Sequence, residues 1–334
     1  MLPRPKIAIV GAGIAGLAAA RILAANFEVT VFEKSRGLGG RLSTRYASPF
    51  EFDHGVQYFT AESASFVELV NHMQAEGIVN AWQGDFVEIS NNKTSVLLND
   101  RRTRYVGVPR MNAVGKYLAR GLSVLLNQRV TKLIRGHNFW QLEINQATIS
   151  EKFDWVLFAI PAEQAESLLP EGNPFSERVS YVGTQGCYVL MLGCNDTFVL
   201  PSWRGASIQS ACIQWISCNS SKPERAPEPT LVVLSSNQWA EDHINADLQQ
   251  VQNQLWTAAS QILDLSSNKI DHMSVHHWRY ANCIKPLQAS LVLDKENYIA
   301  MCGDWTQGAR VEAAYLSGQA VARGLSAHLM KDAL

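Results

Sequence analysis

Three glycines and one acid set the first chemical expectation. Residues 6–33 read KIAIVGAGIAGLAAARILAANFEVTVFE: an apolar run, then Gly11, Gly13 and Gly16, an Ala/Leu-rich stretch, a second apolar run over Val29 to Phe32, and Glu33. This spacing predicts a β-α-β unit whose first turn holds a dinucleotide pyrophosphate. Gly11 permits the tight turn, Gly13 lets phosphate oxygens approach the backbone, and Gly16 lets the helix pack closely on its strand. The turn and helix start (Ala12, Ile14, Ala15) would aim unpaired N–H groups at the anion, with the helix dipole behind them. Glu33, followed by Lys34, would accept the ribose hydroxyls and disfavour a 2′-phosphate. The alternative is a plain structural turn with a solvated Glu33.

Two further pieces turn this expectation towards flavin. Gly39, Gly40 and Arg41 lie just beyond the second strand. Nicotinamide-dependent dehydrogenases have no need of a Gly-Gly-Arg there, whereas flavoproteins of the glutathione-reductase and amine-oxidase types carry one, with the arginine across the pyrophosphate. Taken alone, Arg36 and Arg41 could be solvated loop cations. Near the far end, Tyr298 to Cys302 reads as a short apolar strand, followed by Gly303-Asp304 and a helix opening at Arg310-Val311. In flavoproteins such an Asp meets the ribityl chain, and the N–H at Val311 faces the pyrimidine edge of the ring. On its own, Asp304 would read as a turn or capping residue. Its place, closing a chain that a dinucleotide fold opens, favours the cofactor role.

Composition narrows the remaining classes. The chain has 334 residues, which suggests two domains. A formal net charge of −1 gives no electrostatic case for nucleic acid or an anionic membrane as partner. No apolar run approaches the ~18–20 residues of a bilayer span. The glycine turn at residue 11 predicts no signal peptide ahead of it. Six cysteines without a CxxC pair predict reduced thiols in a cytoplasmic protein, with neither zinc nor a disulfide framework. His272, His276 and His277 invite a metal reading, but Ser274 to Tyr280 reads as a strand, where adjacent histidines point to opposite faces, so no metal site is predicted.

The patterning supplies the scaffold. Helical spacing marks Ser63 to Gly77 and Ala240 to Ile262. Gly84 to Leu98 reads as strand-turn-strand about Asn91-Asn92, and Val106 to Leu118 as a loop entering a helix. Leu122 to Leu133, Phe139 to Ile149, Asp154 to Ile160, 181–193, 230–236 and Ser274 to Tyr280 read as strands, and Asn219 to Pro229 as a proline-rich loop. Trp203, Trp215, Trp239, Trp256 and Trp278 are either core or the walls of a pocket for a flat substrate. The fold class is α/β: a discontinuous Rossmann-like FAD domain (1–78, 105–165 and 290–334) with a smaller mixed-sheet α+β substrate domain (79–104 and 166–289).

GAGIAG (11–16), SRGLGGR (35–41), FDHGVQYFT (52–60), YVGVPRMNAV (105–114), FAIPAEQA (158–165), NSSKPER (219–225), HHWRYA (276–281) and CGDWTQGARVEAAYLSG (302–318) together resemble the renalase family, in its bacterial branch, within the FAD-dependent amine-oxidase superfamily. The resemblance runs through essentially the whole chain. It implies noncovalent FAD, because the cysteine that carries covalent flavin in monoamine oxidases has no evident counterpart. It implies oxidation of misreduced nicotinamide dinucleotides, the 2- and 6-dihydro isomers of NAD(P), by hydride transfer to FAD, with O2 reduced to H2O2. Gln57, Tyr58 and Phe59 join the residues above as FAD contacts, and Val130 is placed at the adenine. Hydride loss from a dihydropyridine needs no general base, since the product is a cation, so positioning groups are expected instead: Asn219, Arg225, His276, Trp278 and Tyr280. Lys222 or Arg225 would meet substrate phosphates from the proline-rich loop. Two positions depart from the family pattern: His54 stands where an apolar residue is usual, and Ala313 where glycine is common. A flavin amine oxidase acting on a small amine and an FAD-binding protein without turnover are the competing readings.

Overall fold

The computed structural model describes residues 4–90, 94–100 and 102–331. Its first layer is a six-stranded sheet in the order Val292–Asp294, Ile299–Met301, Trp155–Phe158, Lys6–Val10, Glu28–Phe32, Ser123–Leu125. Five of these strands run parallel and Val292–Asp294 is antiparallel. Covered on both faces, the central strands are continuously apolar, with Ile7, Ala8, Ile9, Val156, Leu157 and Phe158 fully buried. The helix Ile14–Leu23 and the closing helix Val311–Lys331 pack together on one face. They pack almost backbone to backbone: a Cβ on Gly318 would stand 2.2 Å from the carbonyl oxygen of Ala15.

A second, seven-stranded sheet runs Ile270–Lys285, Gly183–Cys194, Thr230–Ser235, Ile213–Cys218, Gly205–Ile208, Phe86–Ile89, Ser95–Leu97. All of its pairs are antiparallel except Gly205–Ile208 with Phe86–Ile89. One face is covered by the helix Leu248–Leu263, whose Val251, Leu255 and Ala259 are fully buried. On the opposite face Cys187, Val189, Met191 and Val232 pack with Phe50 and Phe52.

Several expected elements are resolved differently. The strand read over Leu122 to Leu133 is two strands in different sheets: Ser123–Leu125 joins the six-stranded sheet and Val130–Arg135 an antiparallel ribbon. Asn127, in a left-handed conformation (φ 57°), turns the chain between them. Phe139 to Ile149 is a hairpin, Trp140–Ile144 with Ala147–Thr148, turned by Asn145 and Gln146 at φ 51° and 69°; two successive positive φ values are what a tight hairpin turn requires. The long helix read over Ala240 to Ile262 is two helices, Asn237–Asp242 and Leu248–Leu263. Asp247 ends the break by accepting from the N–H groups of Gln249 and Gln250, a local capping bond that outcompetes helix continuation. Val79 and Trp82, read as part of the substrate domain, pack into the cofactor-side core with Phe66, Met73 and Val106. The turn read at Asn91-Asn92 lies outside the described residues, between the antiparallel strands Phe86–Ile89 and Ser95–Leu97.

Candidate active site

The glycine turn closes as its spacing requires. Gly11 sits at φ +105°, where a side chain would be strained and would meet the Ala159 carbonyl oxygen at 2.6 Å. A Cβ on Gly16 would stand 2.1 Å from the carbonyl oxygen of Gly11, so helix and strand touch through this residue. Gly13 behaves differently: a Cβ there meets nothing within 4 Å, because it faces an open cleft. The segment carrying Gly39 and Gly40 lies against this turn, with Gly39 N–H donating to the Ala12 carbonyl at 2.9 Å and a Gly40 Cβ reaching Gly13 Cα at 3.4 Å. Glu33 is buried (6 % exposed) and accepts from Ala12 N–H and Ser35 N–H, both at 2.8 Å. It fixes the shape of the turn and still presents its carboxylate to the cleft.

That cleft, about 1410 Å³, runs from Glu33 to the face of the seven-stranded sheet. It exceeds the roughly 300–1,000 Å³ of a typical small-molecule pocket, which suits a dinucleotide with a second molecule against it. Gly11, Gly13, Ile14, Ala15, Glu33, Lys34, Gly40, Arg41, Gln57, Tyr58, Phe59, Gly303, Asp304, Arg310 and Val311 all line it. Ala12 and Gly16 lie just behind the turn. Arg41 and Asp304 face each other across the floor in a two-pronged ion pair (2.8 and 2.5 Å), and Arg41 also donates to the Ala281 carbonyl at 2.8 Å. The backbone turns and helix starts that line the cleft fit FAD: open space at Gly13, unpaired first-turn N–H groups at both helices, and an acid at the ribose end.

The last motif is largely structural in its side chains. Ser317 Oγ accepts from Gly303 N–H (3.1 Å) and from Thr306 Oγ1 (2.8 Å). Trp305 Nε1 donates to the Ile160 carbonyl at 3.0 Å. The buried Glu312 accepts from Ser63 N–H at 2.6 Å and so caps the helix Ala64–Ala75.

Of the expected substrate-positioning residues, His276, Trp278 and Tyr280 do line the cleft, from the strand Ile270–Lys285. Trp278 Nε1 donates to the His54 carbonyl at 2.7 Å, which fixes its ring. The His54 and His276 rings stand 4.9 Å apart edge to face, and His276 meets Trp278 likewise at 4.7 Å. Burial, with His276 and Arg45 alongside, pushes His54 down to about 3. Burial, with Arg45 and His277, pushes His276 down to about 4. Both imidazoles are therefore neutral near pH 7.

Asn219 and Arg225 are corrections, as is Lys222 as a contact for substrate phosphate. All three are absorbed by Asp53, which is wholly buried. Lys222 Nζ (0 % exposed) lies 3.2 Å from Asp53 Oδ2, and Arg225 Nη2 lies 2.6 Å from the same oxygen. Thr44 Oγ1 and Met111 N–H donate to Asp53 Oδ1, and Asn219 accepts from Asp53 N–H and from Lys222. Burial alone would raise the Asp53 pKa; the ammonium of Lys222 and the guanidinium of Arg225 outweigh it and hold the carboxyl well below the usual range. These cations pin the proline-rich loop and are not free for phosphate. Val130, expected at the adenine, is buried among Phe32, Leu142 and Phe158 and does not line the cleft. Of the five tryptophans, Trp215 and Trp278 reach the cleft, while Trp203, Trp239 and Trp256 pack on the far face of the sheet. His272 stacks on Phe52 at 5.6 Å and His277 on Tyr188 at 4.1 Å. Among the described residues no group of three His, Cys, Asp or Glu side chains is placed to hold a metal ion.

Reasoning from sequence missed Arg45, Arg104, Gln214, Leu234 and Val189 as cleft residues. The last three lie on or beside strands whose inward face only the sheet order reveals. Arg104 is buried, with its guanidinium 4.0 Å over the Phe86 ring and 5.1 Å over Tyr58, and an ion pair to Asp100 at 2.8 Å.

Comparison with known proteins agrees with this geometry. Residues 9–73 match the model of the NAD(P)-binding Rossmann-like domain, and residues 80–326 match that of the flavin containing amine oxidoreductases. The 4,4'-diapophytoene desaturase of Staphylococcus aureus strain Newman is 51% identical over 51 residues, covering 15% of this chain and 10% of the desaturase. Among solved structures, a protein assigned as a protoporphyrinogen oxidase from Exiguobacterium sp. 255-15 superposes with TM-score 0.76 at 13% identity, over 97% of this chain and 99% of that one. Wild-type putrescine oxidase bound to putrescine gives TM-score 0.69 at 14% identity, over 98% and 99%. The chain belongs to the flavin containing amine oxidoreductase family; it is a flavin-dependent oxidoreductase whose cofactor is FAD.

Proposed function

We propose that this flavin containing amine oxidoreductase family member is a cytoplasmic oxidase of the renalase kind, acting on 2- or 6-dihydro-NAD(P) and returning NAD(P)+ and H2O2. One observation carries the reading: the charge of the cleft. Among the described residues nine lysines and arginines line it, against three carboxylates, in a chain whose net charge is −1. Each carboxylate is already engaged, Glu33 with backbone N–H groups, Asp304 with Arg41 and Asp100 with Arg104. A cationic amine finds no free acid to pair with there, whereas a dinucleotide brings its own negative charge to a field that favours it.

FAD, when bound, supplies the acceptor for the electron pair and hydrogen that the dihydropyridine gives up, with O2 as the final oxidant. The chain's own part is to bind, orient and keep the reacting ring dry. Trp215, Trp278, Tyr58 and Tyr280 give the cleft flat apolar walls, and Leu234 and Val189 close the sheet side. Neutral His54 and His276 add no further positive charge beside a product ring that becomes a cation. No side chain is required to take a proton from carbon, which accords with the lack of any unengaged carboxylate on these walls.

The test is anaerobic mixing of the yellow holoenzyme with 6-dihydro-NAD and, separately, with putrescine or benzylamine, following the flavin absorbance. Bleaching by the dihydronicotinamide and not by the amines is expected. Bleaching by amines alone would establish the amine oxidase reading, and bleaching by neither a binding protein without turnover.

A further inference from the structure

We propose that Arg45, His276 and His54 form a subsite that recognises an oxyanion of the substrate, a phosphate or a carboxylate. The proposal deepens the function given above and takes its substrate from that reading, but its geometry stands separately. Arg45 lies on the short strand Arg45–Ala47, which pairs with Phe50–Phe52, and its side chain lines the cleft half-buried. The other cations of the cleft are either paired or solvated. Arg41 is on Asp304, Arg104 on Asp100, Arg310 on Glu62, and Lys34 on Gln164. Arg36, Lys116 and Arg279 are exposed, and Arg102, also exposed, lies 3.9 Å from Glu62. Arg45 makes no ion pair among the described residues; its polar contact is Nη2 to His276 Nδ1 at 3.2 Å.

That contact decides what His276 can offer. A guanidinium only donates, so Nδ1 of the neutral ring accepts and the proton sits on Nε2. Nε2–H is then a donor, on a ring held edge to face between His54 and Trp278. His54 is 6 % exposed, and its buried Nδ1 has no hydrogen-bond partner. The cluster thus presents one cation that lacks a counter-charge, one fixed neutral donor and one unsatisfied imidazole nitrogen, beside an aromatic face. A half-buried guanidinium without a carboxylate is costly until an anion joins it, and an oxyanion would be met in the charge-assisted, two-pronged manner that arginine favours. A flat ring against Trp278 would have its anionic substituent within reach of the same cluster.

The test uses FAD-loaded enzyme titrated with inorganic pyrophosphate and, separately, with benzoate, read as perturbation of the flavin spectrum. Wild-type protein should bind at least one of them: pyrophosphate alone identifies a phosphate site, benzoate alone a carboxylate site. Arg45→Met should weaken that binding by about tenfold or more, and Arg45→Lys should recover part of it. In turnover, Arg45→Met should raise KM for the dihydronicotinamide dinucleotide far more than it lowers kcat. If the wild-type enzyme binds neither anion, or Arg45→Met binds them as tightly as wild type, the subsite does not exist. Failure of dihydronicotinamides to bleach the flavin, with anion binding still dependent on Arg45, would reject the proposed reaction and leave the subsite intact.

Discussion

The two walls of the cleft are made by opposite means. The cofactor wall is backbone: tight turns, absent side chains and the open starts of two helices, encoded in short runs of local sequence. The facing wall is side chains, drawn from strands far apart in the chain and held by a buried network of charge. Arg45, His54, Trp215, Leu234 and Trp278 come from segments far apart in the chain and meet only in the folded cleft. A backbone wall recognises what all dinucleotides share. A side-chain wall can be rewritten residue by residue, which is where members of one family can diverge in substrate.

The largest expected effect breaks the side-chain wall at its anchor. Asp53→Asn leaves Lys222 and Arg225 buried without their counter-charge. Stability should fall by about 3–5 kcal/mol, measured by denaturant unfolding of the apoprotein. The exposed pair Arg120–Glu76 is a control with the same chemistry and a different setting; Arg120→Ala should cost no more than about 0.5 kcal/mol.

The cofactor wall is tested by moving one methyl group. Gly16→Ala and Gly318→Ala each force a Cβ to within about 2 Å of a carbonyl oxygen and should cost about 1–3 kcal/mol. Gly13→Val should leave apoprotein stability within about 0.5 kcal/mol yet weaken FAD binding by at least about tenfold, because its side chain enters only the cleft. Equal destabilisation at Gly13 and Gly16 would erase the distinction between a packing glycine and a binding one.

Acid should act on the side-chain wall first. His54 and His276 have folded values of about 3 and about 4, below the ordinary 6.5. The unfolded chain therefore binds more protons as pH falls below 6.5, and stability declines from there towards pH 4. Each ring contributes a slope of up to about 1.4 kcal/mol per pH unit. His276→Gln should flatten that dependence; an unchanged slope would show that other groups set it. A milder change to the side-chain wall is Trp278→Phe, which loses the bond to the His54 carbonyl. It should cost about 0.5–1.5 kcal/mol and raise substrate KM while leaving FAD affinity alone.

The glycine turn, Glu33, Gly39-Gly40 and Gly303-Asp304 were legible because each acts through its own backbone or its near neighbours. The tertiary role of Asn219, Lys222 and Arg225 was not. A cation in a proline-rich loop reads the same whether it awaits a phosphate or is already locked to Asp53 some 170 positions away, as Arg225 is. Arg45 gave no signal either, since what marks it is the lack of a carboxylate nearby, a property of packing. Breaks such as Asn127 and Asp247 escaped a reading based on period alone, because one left-handed residue or one capping bond overrides a hydrophobic pattern. In the motif that carries Gly303-Asp304, the period said nothing of Ser317, which holds the Gly303 turn, or of Glu312, which ties the helix Val311–Lys331 to Ser63.

The contact of Gly318 with Ala15 has a consequence for how the protein is made. The strand Ile299–Met301 pairs with Trp155–Phe158 and the helix behind it packs on Ile14–Leu23, so both are added to the growing chain long after the elements they complete. A nascent chain halted before residue 299 has the glycine turn but lacks the helix that buries its outer surface. The nucleotide cradle is therefore completed only once residues 299–331 have been added. Flavin loading should require residues 299–331, and chains truncated before residue 299 should be recovered without colour.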